Sequence, residues 1–103
     1  MIHIVNKYKE PNHIYCGRGS PLGNPFPITD VNDRDRVCDM YADYFKQKVY
    51  IERNPTMIDE LYYIFNEAQK GDINLGCFCS PKRCHCETIK EFVEIQLNKL
   101  NLS

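Results

Sequence analysis

The chemically richest part of this sequence is the stretch NLGCFCSPKRCHCETI, residues 74 to 89, which holds four cysteines and a histidine within ten positions. Such a group can bind zinc, form a disulfide or provide a reactive thiolate. It can also be simply buried, because free cysteine is among the most buried residue types. The whole chain has six cysteines, so the compartment it occupies decides which chemistry to expect.

The first residues, MIHIVNKYKEPN, contain a short apolar run that polar residues follow at once. This pattern is typical neither of a signal peptide nor of a membrane span, so we expect a cytoplasmic protein without membrane contact. Hydrophobic residues make up 43% and charged residues 26% of the chain, which is ordinary globular usage. In a reducing cytoplasm, six cysteines favour metal binding or thiol chemistry over a disulfide framework.

A zinc site is one interpretation of the cysteine-rich stretch. Cys77 and Cys79 would share one face of a strand, and Cys84, His85 or Cys86 could complete a tetrahedron. The spacing is poor for it, because structural zinc sites usually present C-x₂₋₄-C knuckles, whereas here two C-x-C pairs are separated by four residues. The second pair is expected at a helix start, where i and i+2 diverge around the axis. We therefore expect no metal and no cofactor.

An anion site at the start of the last helix is a second interpretation. With Ser80 as N-cap and Pro81 as the first helical residue, Lys82 and Arg83 would lie in the first turn, where the helix dipole is already positive. A phosphate or carboxylate bound there would turn this unfavourable placement into attraction. The stretch therefore predicts Lys82 and Arg83 as anion-binding residues.

The same positive field would lower the pKa of a nearby thiol. Cys84 is flanked by Arg83 and His85, so it is the expected reactive thiolate and catalytic nucleophile. His85 would act as its base or as the cation that stabilises the thiolate. The alternative that the residue types leave open is a buried Cys84 beneath solvated charges.

A second unusual stretch, YCGRGSPLGNPF, covers residues 15 to 26. Its G-x-G-x-x-x-G spacing matches neither the dinucleotide fingerprint nor the P-loop, and no helix follows it. Glycines allow the backbone to approach a ligand, and arginine offers a bidentate donor. From this stretch alone a proline-pinned surface loop is the better explanation. The candidate ligand-binding residues here are Gly17, Arg18, Gly19, Ser20, Gly23 and Asn24.

Together, YCGRGSPLGNPF and LGCFCSPKRCHCETI, residues 75 to 89, resemble the two signature segments of a family of small phage and bacterial proteins called domain of unknown function 4326. Phe78 stands where that family usually has tryptophan. Cys86 stands where a small residue is common, so the resemblance implies that Cys86 is the sulfur least involved. The family name implies no activity. The matching positions are Gly17, Arg18, Ser20, Pro21, Leu22, Gly23, Asn24, Pro25, Phe26, Cys77, Cys79, Pro81, Cys84 and His85.

The hydrophobic pattern predicts strands at residues 2–6, 13–17 and 73–79. It predicts helices near residues 34–52, from Asn54 and Pro55 to Gly71, and over a last segment that includes residues 89–100. The order β, β, long loop, α, α, β, α predicts a single α/β domain over residues 1–103, a small sheet with three helices packed on it. In such sheets ligands gather at the carboxyl ends of strands, which is where residues 16–28 and 77–86 fall.

These observations predict one pocket, built from both stretches, for a small anionic, nucleotide-like ligand, with Cys77 and Cys79 among its contacts. The enzyme version is transfer or hydrolysis through Cys84. The binding version is phage-type sequestration of a nucleotide-derived signal, and a zinc-stabilised interaction module is the third alternative. The net charge of −1 argues against broad nucleic-acid binding, although a local basic site remains open.

Overall fold

The computed structural model describes residues 1–26, 33–77 and 82–102. Three strands, β1 (Ile2–Asn6), β2 (Ile14–Tyr15) and β3 (Ile73–Cys77), form one parallel sheet in the order β1-β3-β2. The register runs from Ile2 opposite Ile73 to Asn6 opposite Cys77 in one pair. In the other pair Ile14 lies opposite Leu75. Because all three strands are parallel, their carboxyl ends meet at one edge of the sheet.

β3 is the central strand, and its composition suits that position. Leu75, Gly76 and Cys77 are buried in succession, as expected for a strand covered on both faces. Gly76 is required by close packing, because a Cβ at this position would collide with the His13 ring. That ring is itself fixed by a bond between His13 Nδ1 and the Glu10 carbonyl, 2.6 Å long.

Three α-helices pack on the sheet: α1 (Arg34–Lys46), α2 (Pro55–Lys70) and α3 (Cys86–Leu102). α1 passes directly into a π-helical segment, Gln47–Ile51, where the sequence predicted one regular helix to residue 52. α2 begins as predicted, because the Asn54 side chain accepts a hydrogen bond from the Met57 backbone at 3.0 Å. The α/β class and the order of elements are confirmed.

The core lies between the sheet and the helices. Tyr41 is fully buried, and its hydroxyl donates to the Leu22 carbonyl at 2.8 Å, which ties α1 to the loop after β2. Within the described ranges, no helix is long and apolar enough to cross a membrane. Other buried residues of this core include Ile2, Phe45, Val49, Leu61, Ile64, Leu75, Ile89 and Val93.

The start of α3 differs from the sequence prediction. The helix begins at Cys86, so Lys82 and Arg83 precede it and do not lie in its first turn. Ser80 and Pro81, the predicted cap and first residue, lie outside the described residues. The Glu87 carboxylate accepts from the backbone N–H of Cys84 at 3.2 Å, which is the reach-back half of a capping box. That local bond, absent from the sequence argument, is one physical reason for the later start.

Candidate functional site

The two unusual stretches meet at the carboxyl edge of the sheet. We call residues 15–26 the glycine loop and residues 82–86 the cysteine turn. The backbone N–H of Cys16 donates to the Gly76 carbonyl at 3.0 Å, so the glycine loop leaves the sheet beside the end of β3. The His85 ring, through Nε2, bonds the Cys16 carbonyl at 2.5 Å and joins the cysteine turn to the loop. This juxtaposition is the one that the parallel-sheet argument predicted.

Short-range hydrogen bonds shape the glycine loop. The Gly17 carbonyl accepts from the Ser20 backbone at 3.1 Å and from the Ser20 hydroxyl at 2.7 Å. The Ser20 carbonyl in turn accepts from the Gly23 backbone at 3.0 Å. Asn24 Oδ1 accepts from the Phe26 backbone at 2.8 Å, which closes an Asx turn. Ser20 and Asn24, predicted as ligand contacts, therefore also hold the loop in its own conformation.

Two of the loop glycines are required by space. A Cβ on Gly17 would lie 2.6 Å from the Tyr15 ring. A Cβ on Gly23 would lie 2.5 Å from the Gly17 carbonyl oxygen, which is backbone and cannot swing away. Gly19 has open space around it but a φ of +87°, which other residues rarely adopt. The loop needs its glycines for its shape, whatever it binds.

Arg18 is exposed at the tip of the glycine loop. Its guanidinium donates to the Phe26 carbonyl at 3.4 Å, a long bond on the solvent side. Burial lowers the pKa of His85, and the positive charge of Arg18 acts in the same direction. Arg18 thus places a positive charge within electrostatic range of the junction between loop and turn. Lys82, the first residue of the cysteine turn, is also exposed.

Arg83 has partners within the protein. Its guanidinium pairs with Asp35 at 3.0 Å and with Asp39 at 2.9 Å, both on α1, and Glu87 lies at 3.9 Å. The hydrogen bonds to Asp39 and Asp35 raise the pKa of Arg83 above its ordinary value. The sequence predicted an anionic ligand for this side chain, and the structure shows carboxylates of α1 bound to it. Arg83 fastens the cysteine turn to α1.

Sulfur atoms gather beneath the junction. The Sγ atoms of Cys77 and Cys84 are 3.1 Å apart. Those of Cys77, Cys84 and Cys86, which we call the sulfur cluster, all lie within 4.8 Å of one another, and all three residues are buried. Cys16, also buried, lies close enough to raise the pKa of the Cys86 thiol, and its own Sγ donates to the Ile14 carbonyl at 3.6 Å. Cys79, predicted as a ligand contact, lies outside the described residues.

The surroundings of Cys84 contradict the predicted low-pKa thiolate. Its hydrogen bond with Cys77, together with burial, raises the pKa of the Cys84 thiol well above its ordinary value. Cys84 lies at the start of α3, where the helix dipole is positive, but the charge of Arg83 is compensated by Asp35 and Asp39. His85 is buried and its pKa is lowered, so it favours the neutral ring and not the cation that would stabilise a thiolate.

Sequence reasoning missed two members of this arrangement. Cys16 was treated as part of a strand, and Cys86 was interpreted as the sulfur least involved, yet the Cys86 sulfur lies within 4.8 Å of those of Cys77 and Cys84, and Cys16 raises its pKa. The signal for Cys16 was its place at the carboxyl end of β2, next to the end of β3. The signal for Cys86 was Glu87, whose capping bond to Cys84 leaves Cys84 before the first turn of α3 and places Cys86 at the helix start.

A separate groove of about 410 Å³ lies away from this site, between the π-helical segment, α2 and α3. Its walls are mostly apolar and aromatic, with Arg53 and Lys99 at its rim, and none of the predicted site residues lines it. The predicted pocket is therefore not this groove.

Comparison with known proteins bears on both signature stretches. The family model described as "Domain of unknown function (DUF4326)" matches residues 3–95, a range that includes both stretches. The chain is also similar to a protein of Enterobacteria phage T4 described as an uncharacterized 12.4 kDa protein in the nrdA-td intergenic region. The two are 29% identical over 93 residues, which are 90% of this chain and 78% of the phage protein. No solved structure gives a significant match.

Proposed function

The chain belongs to the family called domain of unknown function 4326, and from its site we propose that it binds a small anionic, nucleotide-like ligand at the carboxyl edge of the sheet. The observation that carries the proposal is the bond between the His85 ring and the Cys16 carbonyl. This bond holds the glycine loop against the cysteine turn, at the edge where parallel sheets with helical connections bind their ligands.

The charges at this edge support an anionic ligand. A cation follows each of the three strands along the chain: Lys7 after β1, Arg18 after β2 and Lys82 after β3. The backbone of Lys7 donates to the Cys77 carbonyl at 2.9 Å, so it lies at the end of β3. A phosphate group has three acceptor oxygens and pairs best with an arginine, which can donate two parallel hydrogen bonds. Arg18 is therefore the principal charged contact in our proposal, and Lys82 the second.

Aromatic groups beside these cations favour a nucleotide over a bare anion. The Lys7 ammonium lies 4.6 Å from the centroid of the Tyr15 ring and 5.2 Å from that of Tyr8. Tyr8 is 75% exposed, so its ring offers a flat apolar surface beside positive charge. Aromatic rings stack on nucleobases, and neighbouring cations pair with the phosphates. The neighbourhood thus has the two chemical elements that a nucleotide requires.

We propose binding without thiol catalysis. Cys84, the predicted nucleophile, is only 3% exposed, and it packs against other sulfur atoms. A nucleophile must reach its substrate, and the exposed residues of this edge are instead cations and loop backbone. The function that fits is sequestration or sensing of the ligand.

Calorimetric titration with a panel of nucleoside mono-, di- and triphosphates, and with inorganic phosphate, tests the proposal. We expect at least one nucleotide to bind more tightly than phosphate. The Arg18→Ala variant should weaken this binding about tenfold to a hundredfold, because a charge-assisted hydrogen bond contributes about 1.5–3 kcal/mol. The matched control is Lys70→Ala, an exposed cation at the end of α2, next to the opposite edge of the sheet. Absence of binding by every compound, or equal binding by wild type and Arg18→Ala, contradicts the proposal.

A further inference from the structure

We infer that Cys77, Cys84 and Cys86 bind one zinc ion, with Cys16 as the fourth ligand. The inference does not depend on the proposed ligand, because it concerns the buried sulfur atoms beneath the site and not its exposed surface. It also reverses the sequence-based expectation that no metal is bound.

The geometry of the sulfur cluster suits a metal ion. In a tetrahedral site with zinc–sulfur bonds of about 2.3 Å, neighbouring sulfur atoms lie about 3.8 Å apart. The Sγ atoms of Cys77 and Cys84 are 3.1 Å apart, and all three sulfurs lie within 4.8 Å of one another. The tetrahedral value lies between the 3.1 Å separation and this upper limit of 4.8 Å, so small side-chain rotations bring the three sulfurs to bonding distance of one ion.

A fourth sulfur is available on the described part of the chain. Cys16 is fully buried and lies close enough to raise the pKa of the Cys86 thiol, and its own Sγ donates to the Ile14 carbonyl at 3.6 Å, a weak bond that metal ligation would replace. Four thiolates make a closed structural zinc site, and soft sulfur ligands select zinc over magnesium or calcium. The four ligands would come from the end of β2, the end of β3 and the start of α3.

The spacing argument against zinc rested on a helix that begins elsewhere. Cys84 and Cys86 would diverge if both lay within a helix, but α3 begins at Cys86 and Cys84 precedes it. The bond from the Cys84 N–H to Glu87 fixes this turn, and the two sulfurs can then point to the same side. The site is assembled from chain segments that meet in space, so a knuckle spacing is not needed.

Packing also favours a metal over simple burial. A buried free cysteine usually behaves as a small apolar side chain among hydrocarbon groups. Here the sulfurs of Cys77 and Cys84 are 3.1 Å apart and that of Cys86 lies within 4.8 Å of both, although S–H is a weak donor and sulfur a weak acceptor. The bond from His85 to the Cys16 carbonyl holds the backbone of the fourth ligand, in the manner of the outer hydrogen bonds that orient metal ligands.

The experiment is metal analysis of protein purified without chelator from zinc-supplemented cells. We expect one zinc per chain by elemental analysis and by native mass spectrometry. After zinc is exchanged for cobalt, we expect the sulfur-to-cobalt charge-transfer absorption and the intense visible bands of a tetrahedral site. These measurements use the wild-type protein, so they remain decisive where a variant fails to fold.

Variants then assign the ligands. Cys77→Ser, Cys84→Ser and Cys86→Ser should each reduce bound zinc at least tenfold. Cys16→Ser should weaken zinc affinity at least tenfold and reduce the cobalt charge-transfer intensity by about a quarter, since one thiolate in four is lost. The matched control is Cys38→Ser, because Cys38 is also buried, at 4% exposure, but lies on α1 outside the sulfur cluster. It should keep full zinc content.

Several results would overturn the inference. Wild-type protein that holds neither zinc nor cobalt excludes the site, as does a Cys77–Cys84 disulfide in freshly purified protein. Bound iron with visible absorption would show that the cysteines hold an iron–sulfur centre and not zinc. Unchanged zinc affinity in Cys86→Ser rejects the cluster as the ligand set, and unchanged affinity in Cys16→Ser rejects Cys16 as the fourth ligand.

Discussion

The glycine loop and the cysteine turn meet at one edge of the sheet, but they are held there in different ways. Neighbours in sequence hold the glycine loop, with bonds such as that between the Ser20 hydroxyl and the Gly17 carbonyl. Distant residues hold the cysteine turn: Cys77 on β3, Asp35 and Asp39 on α1. The first region forms its turns with its own residues and is tied to the fold through Tyr41 and His85, whereas the second has one local bond, to Glu87, and takes its other partners from distant parts of the fold.

Metal removal should produce the largest difference between the two regions. If zinc joins the sulfur cluster, chelation should lower the melting temperature by at least about 10 °C, because structural zinc contributes several kcal/mol and each kcal/mol shifts a domain of this size by about 4–8 °C. Hydrogen exchange should accelerate most in residues 82–90 and much less in residues 17–26, which lie beyond the proposed ligand Cys16. A chelator that changes neither the melting temperature nor the exchange of the turn contradicts the comparison. Equal acceleration in both regions would show that the loop is not self-supporting.

A substitution within the glycine loop should have the next largest effect. Gly23→Ala places a methyl group 2.5 Å from the Gly17 carbonyl oxygen, so the backbone must shift. Overpacking that moves backbone costs about 1–3 kcal/mol, and we expect a value near the upper end in urea unfolding.

Gly19→Ala is the matched comparison for Gly23→Ala. Its new methyl group meets nothing within 4 Å, and its left-handed backbone, with φ of +87°, is the penalty that remains. That penalty is roughly 1–2 kcal/mol, and the more restricted unfolded chain offsets about 0.4–1 kcal/mol of it. Equal losses from the two substitutions would mean that the loop relaxes around residue 23.

The same contrast explains what the sequence could predict. The bounds of α2 followed from Asn54, Pro55 and Gly71, because an N-cap, a first-turn proline and a terminal glycine act within a few residues. That the glycine loop is neither helix nor strand was predicted for the same reason, from its prolines and glycines. In both places the residues that determine the conformation are neighbours along the chain, so a local pattern contains the information.

The start of α3 follows a local bond that the sequence argument left out, whereas the nearness of Cys86 to Cys77 is a tertiary contact that local patterns do not show. Ser80 and Pro81 match the sequence pattern of a helix start. The helix nevertheless begins at Cys86, and the Glu87 carboxylate accepts a hydrogen bond from the Cys84 backbone. No spacing within the chain indicated that Cys16 would lie beside Cys86. The pKa of Cys84 depends on distant residues as well. Its hydrogen bond with Cys77 and its burial raise the pKa, whereas the neighbouring charges in the sequence predicted a lowered pKa.

The smallest expected effect is on the free energy of unfolding, and it distinguishes Arg83 from Arg18. Arg83→Ala removes ion pairs to Asp35 and Asp39 whose side chains are 82% and 71% exposed. Exposed pairs contribute at most about 1 kcal/mol each, so we expect the variant to lose roughly 0.5–1 kcal/mol in urea unfolding at low salt, and less at high salt, where screening weakens the pairs. Arg18→Ala should change stability by less than about 0.5 kcal/mol, because its side chain is exposed and its bond to Phe26 is long.

Ligand binding should order the two variants the opposite way. Arg18→Ala should weaken nucleotide affinity strongly, whereas Arg83→Ala should change it by less than about threefold, since the Arg83 guanidinium is already bound by α1. The Asp35→Asn/Asp39→Asn double variant makes the comparison sharper, because it frees Arg83 without removing its charge. If Arg83 only fastens the turn, that double variant loses stability as Arg83→Ala does and gains no affinity. A gain in affinity would show instead that the released arginine can reach the ligand, and that the carboxylates of α1 compete with the ligand for Arg83.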